Sequence, residues 1–265
     1  MRTKIFTVNL YDFLNEDKES AKICKRYQEH NRLLIERNPD LGFEYEQVDI
    51  SPDLEDSIKN LTGLHDLSPK HRYQMESDLV RYSFLKFHPG SVFIDTDFVI
   101  FGRDGLRKIR DLVRESRESG LDYTAGEMGR HGQHSCNWLM ICTNKCGLAD
   151  KLHTLLRENA SKRSISNWKN FNPMKEEESE VDYERRMVFD LFWGYKLYEY
   201  INPNTYRQIP YYNWQCSYWD GDWKDKNVID TDNILGCHFF GFAKGRPTIT
   251  EFLEYHGIDE YKELF

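Results

Sequence analysis

Apolar residues recur along this chain at two periods, and the switches between them set out an alternation of strands and helices. KIFTVNL (4–10) is a β-rich opening run, and KESAKICKRYQEHNRLLIER (18–37) brings Ile23, Tyr27 and Leu34 near one helical face. FEYEQVDI (43–50) reads as a second strand and the stretch from about 53 to 61 as a helix. The segment from Ser68 to His88 predicts a longer helix, with Ser68 as its cap and Pro69 at its first position. Pro89-Gly90 then makes a turn. Val92, Phe93 and Ile94 form a continuous apolar run, the mark of a fully buried strand, within a strand predicted over 91–101. Helix 103–119, strands 121–127 and 136–143, and helix 147–160 carry the alternation on. The lysine- and glutamate-rich stretch 169–184 reads as a surface loop, the aromatic stretch 184–201 as a helix, and NILGCHFFGF (233–242) as the region of a late strand. This order predicts an α/β sandwich.

Composition narrows the class. One large domain spanning 1–265 accommodates the 265 residues, and 39% apolar with 14% aromatic residues supply a core able to offset the ordering entropy. The net charge of −8, from 44 acidic and 36 basic side chains, excludes a nucleic-acid protein held mainly by phosphate contacts, though a local basic pocket could bind one nucleotide. MRTKIFTVNLYDF lacks a long apolar stretch and no run approaches ~20 apolar residues, so neither a signal peptide nor a membrane span is expected. The expected location is cytoplasmic. Six cysteines, at 24, 136, 142, 146, 216 and 237, form no CxxC pair and read as buried free thiols.

A buried strand ending in Asp95-Thr96-Asp97 would turn both carboxylates to one side, because side chains alternate with period two. That end of an open α/β sheet is where ligands bind, and hard cations prefer such oxygen donors. A turn or a helix cap would use the same residues. Asp-Thr-Asp recurs at 230–232, in the polar stretch KDKNVIDTDN, where it reads as a surface turn. On the helix before the strand, Asp78 and Arg81 stand three residues apart and share a face, either as partners on one ligand or as an ordinary surface ion pair.

The whole string SDLVRYSFLKFHPGSVFIDTDFVIF resembles the sugar-binding region of GT-A glycosyltransferases of family 32, whose pattern is Asp, two residues, Arg-Tyr, a Gly-Gly turn, then Tyr-x-Asp-x-Asp. Asp78, Arg81, Tyr82, Gly90, Asp95 and Asp97 match it, while Pro89, Ser91 and Phe93 depart from it. The resemblance implies a GT-A fold, Rossmann-like with a mixed central sheet. It also implies that Asp97 coordinates Mn²⁺ or Mg²⁺, that Asp95 contacts the donor and the metal, and that Asp78 and Arg81 hold the donor sugar.

Far downstream, GCHFFGFAKGRP sets His238, Gly241 and Lys244 at an HxxGxxK spacing. Imidazole ligates ions such as Mn²⁺, glycine lets backbone approach phosphate, and lysine is a phosphate-binding point charge. A histidine beside Phe239 and Phe240 equally suits a core position. Together with the Asp-Thr-Asp strand, the segment resembles the HxxGxxKPW of retaining family 8, the glycogenin-like glycosyltransferases, without its Trp. That likeness implies His238 as a metal ligand, with Gly241 and Lys244 on the donor diphosphate. By the same likeness RQIPYYNW (207–214) matches a Leu-Pro-x-x-x-Asn, and Asp190 of MVFDLFW the last Asp of an Asp-Gln-Asp. SCNWLMICT (135–143) then matches the strand that lines the sugar pocket, which puts Asn137 and Asp190 near the face where the acceptor hydroxyl approaches. The nucleotide base is expected near Thr7 to Tyr11, with Thr7 and Asn9 on the donor.

YYNWQCSYWDGDWK (211–224) carries Tyr211, Tyr212, Trp214, Tyr218, Trp219 and Trp223, rings that suit either apolar sugar faces or the pinning of a loop to the core. The expected activity is therefore metal-dependent transfer from a nucleotide-diphosphate sugar, a UDP-sugar favoured, to a carbohydrate or glycoconjugate acceptor with retention. Two alternatives stand beside it. FIDTDFVI also fits a haloacid-dehalogenase-like phosphohydrolase with Asp95 as nucleophile, and a non-catalytic carbohydrate-binding module could use the same pocket.

Overall fold

The computed structural model describes residues 2–10, 19–61, 68–121, 123–128, 134–142, 147–159, 161–188, 190–191, 206–209, 235–238, 251, 254–255 and 257. Strand β1 (Thr3–Asn9), helix α1 (Glu19–Arg37) and strand β2 (Phe43–Asp49) form a parallel β-α-β unit, in register from Thr3↔Phe43 to Asn9↔Asp49. A short 3-10 turn, Pro39–Leu41, leads into β2 through Gly42, whose φ of 76° is a left-handed conformation open to glycine. Helices α2 (Pro52–Leu61) and α3 (Pro69–Phe87) follow. Strand β3 (Val92–Ile94) then lies parallel to β1, with Ile5 opposite Val92.

Beyond it come β4 (Phe98–Ile100), α4 (Gly102–Glu118), β5 (Tyr123–Met128), β6 (His134–Cys142), α5 (Gly147–Asn159), α6 (Lys162–Phe171), α7 (Glu180–Val188), β7 (Tyr206–Ile209) and β8 (Gly236–His238). The architecture is α/β around an open mixed sheet of order β2-β1-β3-β6-β5-β7, in which β6 runs antiparallel to both neighbours. A second, two-stranded antiparallel ladder joins β4 to β8.

Alternate residues of the central strands feed two separate cores. Phe6, Phe93 and Met140 pack on one face with Tyr82 and Leu85 of α3, Trp168 of α6 and Val188 of α7. Ile5, Val92, Ile94, Leu139 and Ile141 pack on the other with Ile35 of α1 and Leu106, Ile109 and Val113 of α4. Period-two strands buried on both sides need helices on both sides, which is the sandwich expected from the alternation.

Three expectations need correction. The strand predicted over 91–101 is two strands in two sheets, because the Phe98 N–H bonds to the Asp95 carbonyl at 3.1 Å and closes a turn over Thr96 and Asp97. Strand alternation therefore does not govern where Asp95 and Asp97 point. The stretch 169–184, expected as a loop, ends α6 and begins α7, so the helix expected from Glu184 starts at Glu180. Serines cap both: Ser161 accepts the Ser164 N–H, and Ser179 accepts the Asp182 N–H while donating to its carboxylate at 2.6 Å. Ser68 is the N-cap of α3 and Pro69 its first residue, as expected, with no side-chain cap bond. Its N–H and hydroxyl go instead to the Glu184 carboxylate of α7. Lastly, Cys24 is a buried free thiol as expected, whereas Cys142 is disulfide-bonded. Among the described residues no helix is long and apolar enough to cross a membrane.

The β4–β8 ladder is tightly packed. A Cβ on Gly236 would lie 2.5 Å from Val99 O and 2.6 Å from the Phe98 ring, so Gly236→Ala must push the strands apart. Overpacking of this kind costs about 1–3 kcal/mol, a fall in melting temperature of roughly 2–12 °C for a chain of this size, readable by calorimetry. A melting temperature equal to the wild type's would show that β8 can shift freely.

On the other side of β4, His30 of α1 donates from Nε2 to the Ile100 carbonyl at 2.9 Å. Burial lowers the His30 pKa below its ordinary 6.5, against an opposing rise from that hydrogen bond. The folded ring stays neutral where the unfolded one takes up a proton, so this contribution is level above about pH 6.5 and is lost as the pH falls below it. Urea midpoints for wild type and His30→Gln, taken near pH 7.5 and near pH 5.5, should show the larger acid loss in the wild type.

Candidate functional site

Asp95, Thr96 and Asp97 form a half-buried turn at the carboxyl end of β3, between the two sheets. Asp95 reaches inward. Its Oδ1 accepts the Thr96 N–H at 3.2 Å, and both of its carboxylate oxygens lie 3.4 Å from an Arg81 nitrogen, ion-pair range at the long edge of hydrogen bonding. Behind the turn sits the Cys24 thiol of α1, whose pKa is pushed far up, chiefly by burial and then by the negative charge of Asp97, while a hydrogen bond with Thr96 works the other way.

Asp78 and Arg81, three apart on α3, are both 4% exposed, so the surface ion-pair alternative does not hold. Arg81 Nη1 stands 3.2 Å from Asp78 Oδ1, and Nη2 reaches Ser77 Oγ at 3.1 Å as well as Asp95. Its guanidinium lies 4.4 Å over the buried Phe93 ring, which fixes its plane. One buried cation thus ties the α3 carboxylate to the first carboxylate of the turn. Tyr82, the next residue of the matched pattern, is buried in the α3-side core.

The first residue of the downstream motif meets the strand that follows the turn through backbone register. His238 pairs with Phe98, Cys237 with Val99 and Gly236 with Ile100, so His238 is opposite the residue that follows Asp97. Leu235 O accepts the Phe101 N–H at 3.1 Å and extends the contact. Gly241, Lys244, Tyr11, the aromatic stretch 211–224 and the second Asp-Thr-Asp at 230–232 lie outside the described residues.

Thr7 and Asn9, expected on the donor, spend their side chains inside the protein. Thr7 Oγ1 shares a hydrogen bond with the Tyr45 hydroxyl at 2.9 Å. Asn9 exchanges bonds with Gln28 of α1 and donates to Asp49 Oδ1 at 2.9 Å. Asn137 lies within β6. Asp190, an exposed residue just past α7, accepts a hydrogen bond at 3.0 Å from Trp168 Nε1, which fixes its carboxylate.

The sequence reading missed the polar half of α1. Cys24, Tyr27, Gln28, Asn31 and Ile35 are all buried, a stripe at steps of three and four that apolar periodicity alone does not pick out because two members are amides. Asn31 Nδ2 donates to Phe98 O at 2.7 Å and Asn31 Oδ1 accepts the Ile100 N–H at 2.9 Å.

Among the described residues no group of three or more His, Cys, Asp or Glu side chains is gathered as a metal cage. The donor set fits a different kind of site. Mg²⁺-like ions are commonly held by one or two carboxylates together with substrate phosphates, and the Asp95–Asp97 turn offers oxygen donors of that kind.

No protein-family model matches the chain, and no curated protein matches it in sequence. Solved structures with a similar trace include a glycosyltransferase involved in the glycosylation of the major capsid of PBCV-1, at 14% identity and a TM-score of 0.45 over 100% of both chains. Mouse xyloside xylosyltransferase 1 in its apo form is similar at 9% identity and a TM-score of 0.48, over 94% of this chain and 100% of that one. The apo bifunctional glycosyltransferase WbbM is similar at 10% identity and a TM-score of 0.47, over 99% of this chain and 51% of that one.

Proposed function

We propose that the chain is a metal-dependent glycosyltransferase, a single GT-A domain that moves a sugar from a nucleotide-diphosphate sugar, a UDP-sugar favoured, to a carbohydrate or glycoconjugate acceptor with retention. The observation that carries this reading is the β4–β8 register: it sets His238, the first residue of HxxGxxK, opposite Phe98, the residue that follows the Asp-Thr-Asp turn, although the two lie far apart in the sequence. The buried Asp78–Arg81–Asp95 chain supports it, since a surface ion pair would need no burial.

In this reading Asp97 and Asp95, with His238, hold Mn²⁺ or Mg²⁺. When bound, the ion offsets charge on the departing nucleoside diphosphate as a Lewis acid. Arg81 holds Asp95 in place and, with Asp78, orients the donor sugar. Gly241 admits the diphosphate close to backbone, and Lys244 neutralises part of its charge. Asp190, steadied by Trp168, and Asn137 stand near the acceptor hydroxyl and direct its approach. Phe6, Phe84 and Phe93 form an aromatic cluster that makes the floor beneath Arg81 rigid.

Thermal-shift measurements with a set of nucleotide sugars, with and without Mn²⁺, test the reading. A ligand that binds only the folded state raises the melting temperature, by an amount equivalent to about 2.7 kcal/mol at a hundred times its dissociation constant. At least one donor is expected to do so in a Mn²⁺-dependent way. No shift with any donor would sink the proposal.

A further inference from the structure

We propose that Asn31 is a positioning residue for the metal and diphosphate site, in which its side-chain amide occupies the edge of β4 opposite β8 as a neighbouring strand would; this rests on the glycosyltransferase reading above. Strand β4 is only three residues long and wholly buried, and a two-stranded ladder is marginal by itself. Peptide groups of successive residues in a strand face opposite edges, so Phe98 and Ile100 share one edge and Val99 takes the other. No strand is paired to β4 besides β8 among the described residues. Helix α1 lies on the remaining side, and Asn31, itself 0% exposed, meets the Phe98 carbonyl with its NH₂ group and the Ile100 N–H with its oxygen.

A carboxamide offers a donor and an acceptor in one plane, the same pair that a neighbouring strand's peptide unit would offer. His30 adds a third bond on the same edge, to the Ile100 carbonyl. Without these partners, buried peptide groups would be left unpaired, which native proteins seldom tolerate.

What makes the clamp more than structural is its place in the chain. Phe98 closes the Asp-Thr-Asp turn with its N–H, gives its carbonyl to Asn31, and is paired with His238. Asn31 therefore fixes the one residue that both follows Asp97 and faces the histidine. It touches neither donor nor metal, and it acts by holding two halves of the site in register.

The test compares Asn31→Asp with wild type. Asp keeps the acceptor for the Ile100 N–H but turns a second oxygen toward the Phe98 carbonyl, so the donating half is lost and, while that carboxyl is ionised, a buried charge is added. Asn31→Ser is the second variant, read in the same way if Asn31→Asp does not fold. Asn38→Ala serves as a structural control, since Asn38 also bonds a backbone carbonyl from α1's end, that of Leu34, but stands away from β4.

Mn²⁺ affinity in the presence of UDP is read by electron paramagnetic resonance, together with the Mn²⁺ line shape and the exchange rate of the Ile100 amide. Asn31→Asp should weaken Mn²⁺ binding by about 10–100-fold, the range for partners that orient ligands without touching the metal, and should alter the line shape. Asn38→Ala should change neither. Wild-type Mn²⁺ affinity and line shape in Asn31→Asp, with faster Ile100 exchange, would reduce Asn31 to a structural clamp and overturn the proposal. Failure of the wild type to bind Mn²⁺ with UDP or any other nucleoside diphosphate would instead remove the functional reading, a result visible before any substitution is made.

Discussion

Asp97→Asn is expected to lower metal-dependent sugar transfer by about a hundred- to a thousandfold, the scale on which losing one preorganised electrostatic contact acts. The melting temperature should stay within about 2 °C of the wild type, because half-buried turn positions outside a packed core tolerate isosteric change. Asp97 is such a position: it belongs to neither core cluster, and Asn keeps its size. Asp95→Asn should behave differently, since Asp95 also answers Arg81 and its loss disturbs the buried chain as well as the site. Initial rates at saturating donor and Mn²⁺, with a thermal melt of the same preparation, separate the two effects. Turnover within tenfold of wild type would take Asp97 out of the metal site.

The second large effect belongs to Arg81. Its removal as Arg81→Ala leaves the Asp78 carboxylate, 5% exposed, without its buried cation. Breaking a buried pair from one side costs about 3–5 kcal/mol, most of it the burden of the lone charge. The double variant Arg81→Met with Asp78→Asn removes the lone charge at Asp78, leaving only the half-buried Asp95 without Arg81, and should regain much of that loss, as apolar replacements of buried pairs often do. Donor binding should not return with it, because neither new side chain can orient a sugar hydroxyl as an ion does. Denaturant unfolding of the single and double variants, paired with nucleotide-sugar thermal shifts, reads stability and binding separately. A single variant within about 1 kcal/mol of wild type would mean that groups other than Arg81 hold the Asp78 carboxylate in the folded chain.

The first half of the fold is legible from pattern because its elements obey one rule each. KIFTVNL and FEYEQVDI pair as a parallel β1 and β2, and Ser68-Pro69 marks the start of α3. Arg81 and Asp95 could be singled out from residue type and spacing, and they meet in space. Legibility fails where a tertiary partner overrides the local signal. SVFIDTDFVIF looks like one strand, since nothing in it announces that Phe98 will turn back to bond Asp95. The charged stretch 169–184 looks like a loop, since its lysines and glutamates dominate a window whose buried members, Trp168 and Met187, stand just outside it. Asn31 is invisible for a related reason: an amide on a helix reads as solvent-facing until the strand edge that it completes is known.

The pairing of Phe98 with His238 also dictates when the site can exist. Closing so long a loop is entropically costly and must precede any contact that rewards it, which places this ladder among the slow events of folding. On a ribosome adding about 5–20 residues per second, the turn emerges roughly 7–28 s before the strand that faces it. Through that interval the nascent chain carries its acidic turn without the strand that pairs beside it, so in the function proposed above donor binding would report the closed β4–β8 ladder rather than the presence of the Asp-Thr-Asp motif.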